Sequence, residues 1–105
     1  MKSLAEFKRE IAIGNKIQLV KLEEQNGETF GEVAIPEKLQ GVRTVSYKDT
    51  TGFYLKQASD ISNKKGSFCG YPKSANLAYD NNHFEIVERD NKGNIWQKRV
   101  YEILS

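Results

Sequence analysis

The residues best equipped for chemistry are Cys69 and His83, the only cysteine and the only histidine of the chain. A thiol activated by an imidazole is a familiar nucleophilic pair. Neither residue stands in a catalytic signature. Cys69 lies in Phe68-Cys69-Gly70 and His83 closes Asp80-Asn81-Asn82-His83. A histidine in such a turn reads as a solvated surface group, and a cysteine beside glycine as a small, partly buried filler. One histidine and one cysteine also give no zinc signature. Asp80-Asn81-Asn82 and Asp90-Asn91-Lys92-Gly93-Asn94 look calcium-like, but both lack the ligand alternation and closing glutamate of a calcium loop and read as hairpin turns. Gly66-Ser67-Phe68-Cys69-Gly70 matches neither glycine-rich phosphate fingerprint. The carboxylates are dispersed without a paired site. The expectation is a protein that is not an enzyme, with no metal and no cofactor.

Binding has better candidates. Lys48, Lys56, Lys64, Lys65 and Lys73 lie between Tyr47 and Tyr79, against only Asp49 and Asp60. The same window holds Tyr47, Phe53, Tyr54, Phe68, Tyr71 and Tyr79. Basic residues interleaved with rings suit single-stranded nucleic acid, where charge follows phosphates and rings stack on bases. They equally suit a protein interface anchored by aromatics. Nucleic-acid domains are usually far more basic than this, and a domain this small needs many of its rings for its core. A protein partner is therefore favoured, with nucleic acid as the alternative. The residues expected to face it are Tyr54, Lys56, Lys64, Lys65, Tyr71 and Lys73, on a predicted outward face and the loop beyond it.

These residues need a scaffold, and 105 residues suffice for one domain that buries about 65% of its unfolded surface. Net charge is +2, with eight Lys/Arg against seven Asp/Glu in residues 1–48 and the same balance in 49–105, so no basic or acidic tail calls for a polyanion. A lone cysteine excludes an internal disulfide and fits a reducing cytoplasm. No signal peptide is expected after Met1, and no stretch approaches the roughly 20 apolar residues of a membrane span. A cytoplasmic protein is expected, either a monomer or a homodimer paired through an exposed edge strand.

Ser3 and Glu6 form a capping box, and Leu4, Phe7 and Ile11 make one apolar stripe, which predicts a helix over 4–13 capped by Gly14. So short a helix must dock on something. Residues 16–22 read as a strand, Asn26-Gly27 as a hairpin turn, and 29–33 as its return before Pro36. Residues 42–47 and 53–56 form a second hairpin around Asp49-Thr50-Thr51-Gly52. Alternation places Arg43, Val45 and Tyr47 on one face, and Phe53 and Leu55 opposite Tyr54 and Lys56. Residues 57–67 read as a mobile loop and 74–78 as one helical turn. Residues 84–89 and 95–104 form a last hairpin, whose second arm is apolar on both faces and so either central or curled as in a small barrel.

The run Arg43-x-Val45, Gly52-Phe53-x-Leu55-Lys56, Ser67 and Tyr71-Pro72-Lys73-Ser74, with Leu4-Ala5-Glu6-Phe7-Lys8 and Gly14, resembles a family of small uncharacterised single-domain proteins of bacteria and their phages. That pattern tends to carry tryptophans near the Pro-Lys step, where this chain has Phe68 and Tyr71. The resemblance implies a compact domain often carried on mobile elements, and transfers no activity or functional residue. The resulting expectation is an α+β, mainly β fold. It has a short N-terminal helix and a strongly bent antiparallel sheet or SH3-like barrel of five to seven strands. In function it is a non-catalytic accessory protein that binds a partner and modulates a host system, such as a defence.

Overall fold

The structure, a computed structural model, describes residues 2–57, 66–80 and 82–104. The predicted loop over 57–67, with Lys64 and Lys65, falls largely outside them. Among the described residues one α-helix, α1 (Leu4–Glu10), precedes eight strands: β1 (Lys16–Asn26), β2 (Thr29–Glu32), β3 (Val42–Lys48), β4 (Gly52–Gln57), β5 (Ser67–Gly70), β6 (Leu77–Asp80), β7 (His83–Arg89) and β8 (Ile95–Ile103). All pair antiparallel in the order β5-β4-β3-β1-β8-β7-β6, with β2 paired to β1. The expected five to seven strands become eight because 67–70, which begins at the end of the predicted loop, and 77–80, which overlaps the helical turn predicted over 74–78, are short strands. Of the helical turn predicted over 74–78, only Ser74–Asn76 forms, as a 3-10 turn. Four-residue segments carry little strand signal of their own; their partners, Phe53 opposite Cys69 and Phe84 opposite Tyr79, supply it.

Helix α1 starts where the capping box places it. The Ser3 hydroxyl accepts from the Glu6 N–H, and Glu6 reaches back to the Ser3 N–H. It ends at Glu10, not residue 13. Ile11 N–H closes the last turn on the Phe7 carbonyl, and the Ala12 N–H donates to Asn15 Oδ1 at 2.7 Å. A short polar side chain has thus taken a donor that would have continued the helix.

The hairpins follow local turn chemistry. Asn26 pairs with Thr29, leaving Gly27 at φ 64 as first of two linking residues, the position that a type II′ turn reserves for glycine. Asp49 Oδ1 accepts from the Thr51 and Gly52 N–H groups, and Asp90 Oδ1 from those of Lys92 and Asn94. Among the described residues three register shifts interrupt the ladders, one of them between Glu88 and Arg89, and the other two reset side chains that matter here. At Val20 the shift lets both Leu19 and Leu22 point inward. At Ser46 it turns Tyr47 away from the face of Arg43 and Val45, contrary to strict alternation, so that Tyr47 stands opposite Tyr54.

Strand β8 lies between β1 and β7, as its two apolar faces require. The sheet is strongly bent. Phe53 on β4 and Phe84 on β7 are separated by three strands in the order, yet their rings lie 6.3 Å apart. Phe7 of the helix fills the fold between them, with centroids 6.0 Å from Phe53, 5.1 Å from Tyr79 and 4.8 Å from Phe84. Burying that one ring contributes about 1.5–3 kcal/mol, which the short helix cannot supply from its own hydrogen bonds. Among the described residues no helix is long and apolar enough to cross a membrane.

Candidate functional site

Two features meet at the β4–β5 edge. The first is a row of rings on the outer face. The Ser46 bulge and the β3–β4 register put Tyr47 against Tyr54 at 5.8 Å, and the β4–β5 register puts Tyr54 against Phe68 at 5.0 Å. Phe68 is 51% exposed, on a strand that ends the sheet order. Its ring is laid down by glycines. A Cβ at Gly52 would come within 2.8 Å of Phe68 Cζ and press into the Cys69 carbonyl oxygen, and one at Gly70 would stand 3.3 Å from Phe68 Cε2. Lys56 shares the outer face of β4 with Tyr54, two residues on.

The second feature is a cleft of about 830 Å³ beyond Phe68, between the Cys69–Asn76 segment and the β7–β8 hairpin. Tyr71, Lys73, Glu88, Arg89 and Arg99 line it. Arg89 is held by Asn76 Oδ1 at 2.7 Å and the Gly93 carbonyl at 3.0 Å. Arg99 donates from Nη2 to Glu88 Oε1 at 2.8 Å and from Nη1 to the Tyr101 hydroxyl at 3.4 Å, while its buried Nε has no partner. Burial works against the Arg99 charge, but Tyr101, Cys69 and Glu88 outweigh it and its pKa rises.

Behind the cleft lies Arg43, 3% exposed. It stands beside Ile17 on β1 and shares its inner face with Val45. Its Nε has no hydrogen-bond partner and, among the described residues, no carboxylate pairs with it. Desolvation lowers its pKa, with the Tyr101 and Cys69 groups acting the other way. A guanidinium nevertheless stays charged at neutral pH. Arg43 and Arg99 thus carry two positive charges around Tyr101 and Cys69, against one carboxylate among the described residues, that of Glu88.

The expected site residues divide. Tyr54 and Lys56 occupy the outer face. Lys73 is exposed at the cleft, with no side-chain bond or ion pair among the described residues. Tyr71 is drawn inward: its ring packs on Phe7 at 6.2 Å and Phe53 at 6.0 Å, and its hydroxyl is buried without a partner, which raises its pKa through desolvation. Lys64 and Lys65 lie outside the described residues. Arg43, Arg89 and Arg99 were not among the residues singled out from sequence. The available signal was parity, since Arg43 falls on the alternation of buried Val45 and Arg99 on that of Tyr101 and Ile103.

Cys69 is buried and free, and burial pushes its thiol up, away from the reactive thiolate. His83 is exposed at the start of β7. Among the described residues no three His, Cys, Asp or Glu side chains gather as a metal site would need. Comparison with protein-family models, with curated proteins and with solved structures finds no match for this chain.

Proposed function

We propose that this chain is a non-catalytic binding module that engages a protein partner through the outer face of β3, β4 and β5. The observation that carries this reading is the continuous row Tyr47–Tyr54–Phe68, placed at a sheet end with its outermost ring half in solvent. Exposed rings with few rotatable bonds are the groups that anchor protein interfaces. A net charge of only +2, spread evenly along the chain, favours a protein over a polyanion. The resemblance to proteins of bacteria and their phages suggests a mobile-element accessory whose partner belongs to a host system, such as a defence. Nucleic acid is the second reading, because the same rings, with Lys56 and Lys73 nearby, would stack bases and meet phosphates.

The test is affinity capture with wild-type protein and with Tyr54→Ala and Phe68→Ala, each from nuclease-treated and untreated bacterial lysate. The expected result is a protein retained after nuclease treatment and lost with either variant. Retention indifferent to both substitutions sinks the proposed face. Recovery that vanishes with nuclease and weakens steeply with salt transfers the face to nucleic acid.

A further inference from the structure

Independently of the aromatic face, we infer that the cleft between the Cys69–Asn76 segment and the β7–β8 hairpin binds a multiply charged oxyanion of the phosphate class, with Arg99 as its principal contact. The side of a guanidinium that offers Nε and Nη2 together is shaped for two acceptor oxygens. Here Glu88 meets only Nη2, and Nε is left buried and unpaired. A buried donor without an acceptor is costly, and a two-oxygen ligand across that edge satisfies both donors at once.

The charge around the edge points the same way. Lys73, Arg89 and Arg99 line the cleft against Glu88 and Asp90. Asp90 is already committed to the turn through its bonds to the Lys92 and Asn94 N–H groups. Arg43 adds a further buried cation behind Tyr101, with no carboxylate of its own among the described residues. Arg43 has the Tyr101 hydroxyl as a neutral partner but no counter-ion among the described residues, and burying a charge without one is costly, so a fold that keeps Arg43 beside Arg99 gains most when an anion completes the group. Glu88, its side chain 44% exposed, is placed to be displaced: it occupies one oxygen position of the ligand and can swing into solvent. The cleft's volume exceeds what phosphate alone fills, leaving room for an organic group attached to the anion.

The experiment is titration of the full chain with inorganic phosphate at constant ionic strength, followed by heteronuclear NMR. Acetate serves as the singly charged control, and phenyl phosphate as the ester. Saturable shifts at the Gly70 and Lys73 amides and at Arg99 Nε–H are expected with phosphate and not with acetate. Glu88→Gln should tighten phosphate roughly fivefold by removing the competing carboxylate, and Lys73→Ala should weaken it by a similar factor. Phenyl phosphate binding more tightly than phosphate identifies the ligand as a phosphate monoester; equal affinity identifies free phosphate. Arg99→Gln should abolish saturation, but the two surface variants carry the test if that chain fails to fold. Absence of saturable shifts, equal response to acetate, or unchanged affinity in both Glu88→Gln and Lys73→Ala overturns the inference.

Discussion

The interior of this bent sheet has two ends built by the same side-chain alternation and filled with opposite chemistry. At one end Phe7, Phe53, Tyr79 and Phe84 interlock as rings, and α1 covers them. At the other, Arg43 and Arg99 project from the inner faces of β3 and β8 around the Tyr101 hydroxyl and Cys69. Tyr101 joins the two, since its ring stacks on Phe84 at 4.6 Å while its hydroxyl accepts from Arg99. The ring end gains free energy from burial; the arginine end spends some of that gain on desolvating charge. Local rules are most often broken where a protein does its work, and here the breach lies in the cleft wall and behind it, not under the helix.

The comparison is broken most forcefully at Phe7. Phe7→Ala removes the ring shared by four aromatic neighbours and should cost about 3–5 kcal/mol, measured by chemical denaturation. A cost below about 1 kcal/mol would mean that the helix end is not the stabilising one. Next in size is Gly52→Ala. Its new Cβ must push β4 off the Cys69 carbonyl and the Phe68 ring, which should cost about 1–3 kcal/mol and disturb the Phe68 resonances first. Tolerance of that methyl group, with unchanged stability, would show that the close β4–β5 approach is not rigid.

What could be read in the sequence was what neighbouring residues decide among themselves. The Ser3–Glu6 box, the turns at Gly27, Asp49 and Asp90, and the outward placing of Tyr54 and Lys56 all rest on contacts within a few residues. What escaped was set by distant partners or by single-residue exceptions. Asn15 ends the helix early, a bulge at Ser46 turns Tyr47 outward, and β5 and β6 exist because Phe53 and Phe84 stand opposite them. Tyr71 follows a predicted turn region, yet Phe7 draws its ring into the core from more than sixty residues away. Arg43 was placed on the correct face, but alternation says which side a residue takes and not whether a charge will be left there unpaired.

Arg43→Met sharpens the comparison from the opposite side. It keeps a side chain of similar length while removing the buried charge and its unpaired Nε. Stability should be unchanged or rise by about 1–2 kcal/mol, since an apolar replacement of a buried ionic group is often neutral or favourable. A loss of 3 kcal/mol or more, the size seen when a true buried pair is broken, would show that Arg43 has an anionic partner beyond its bond to Tyr101.

The smallest effect concerns the clasp that holds the helix over the ring end. Tyr79 donates to Glu10 Oε1 at 2.7 Å, and Lys2 Nζ meets the same oxygen at 2.8 Å. Burial, then the bond to Glu10, pushes Tyr79 up to about 12 from an ordinary 10.0. Because the folded state holds this proton more tightly, its contribution is complete below pH 10.0 and is lost as pH rises from there toward 12. Glu10 behaves in the opposite sense. Lys2 and then Tyr79 hold its pKa below 4.5, so its contribution is complete above that value and is lost as pH falls through the lowered one. Tyr79→Phe should therefore cost about 1 kcal/mol near neutrality and flatten the difference between wild-type and variant stability curves at both extremes. Equal alkaline losses in the two proteins would place the Tyr79 hydroxyl in solvent rather than on Glu10. The helix would then be held by the burial of Phe7 and Ile11 and by the backbone bond from Lys2 N–H to the Tyr79 carbonyl, with no contribution from the Tyr79 hydroxyl.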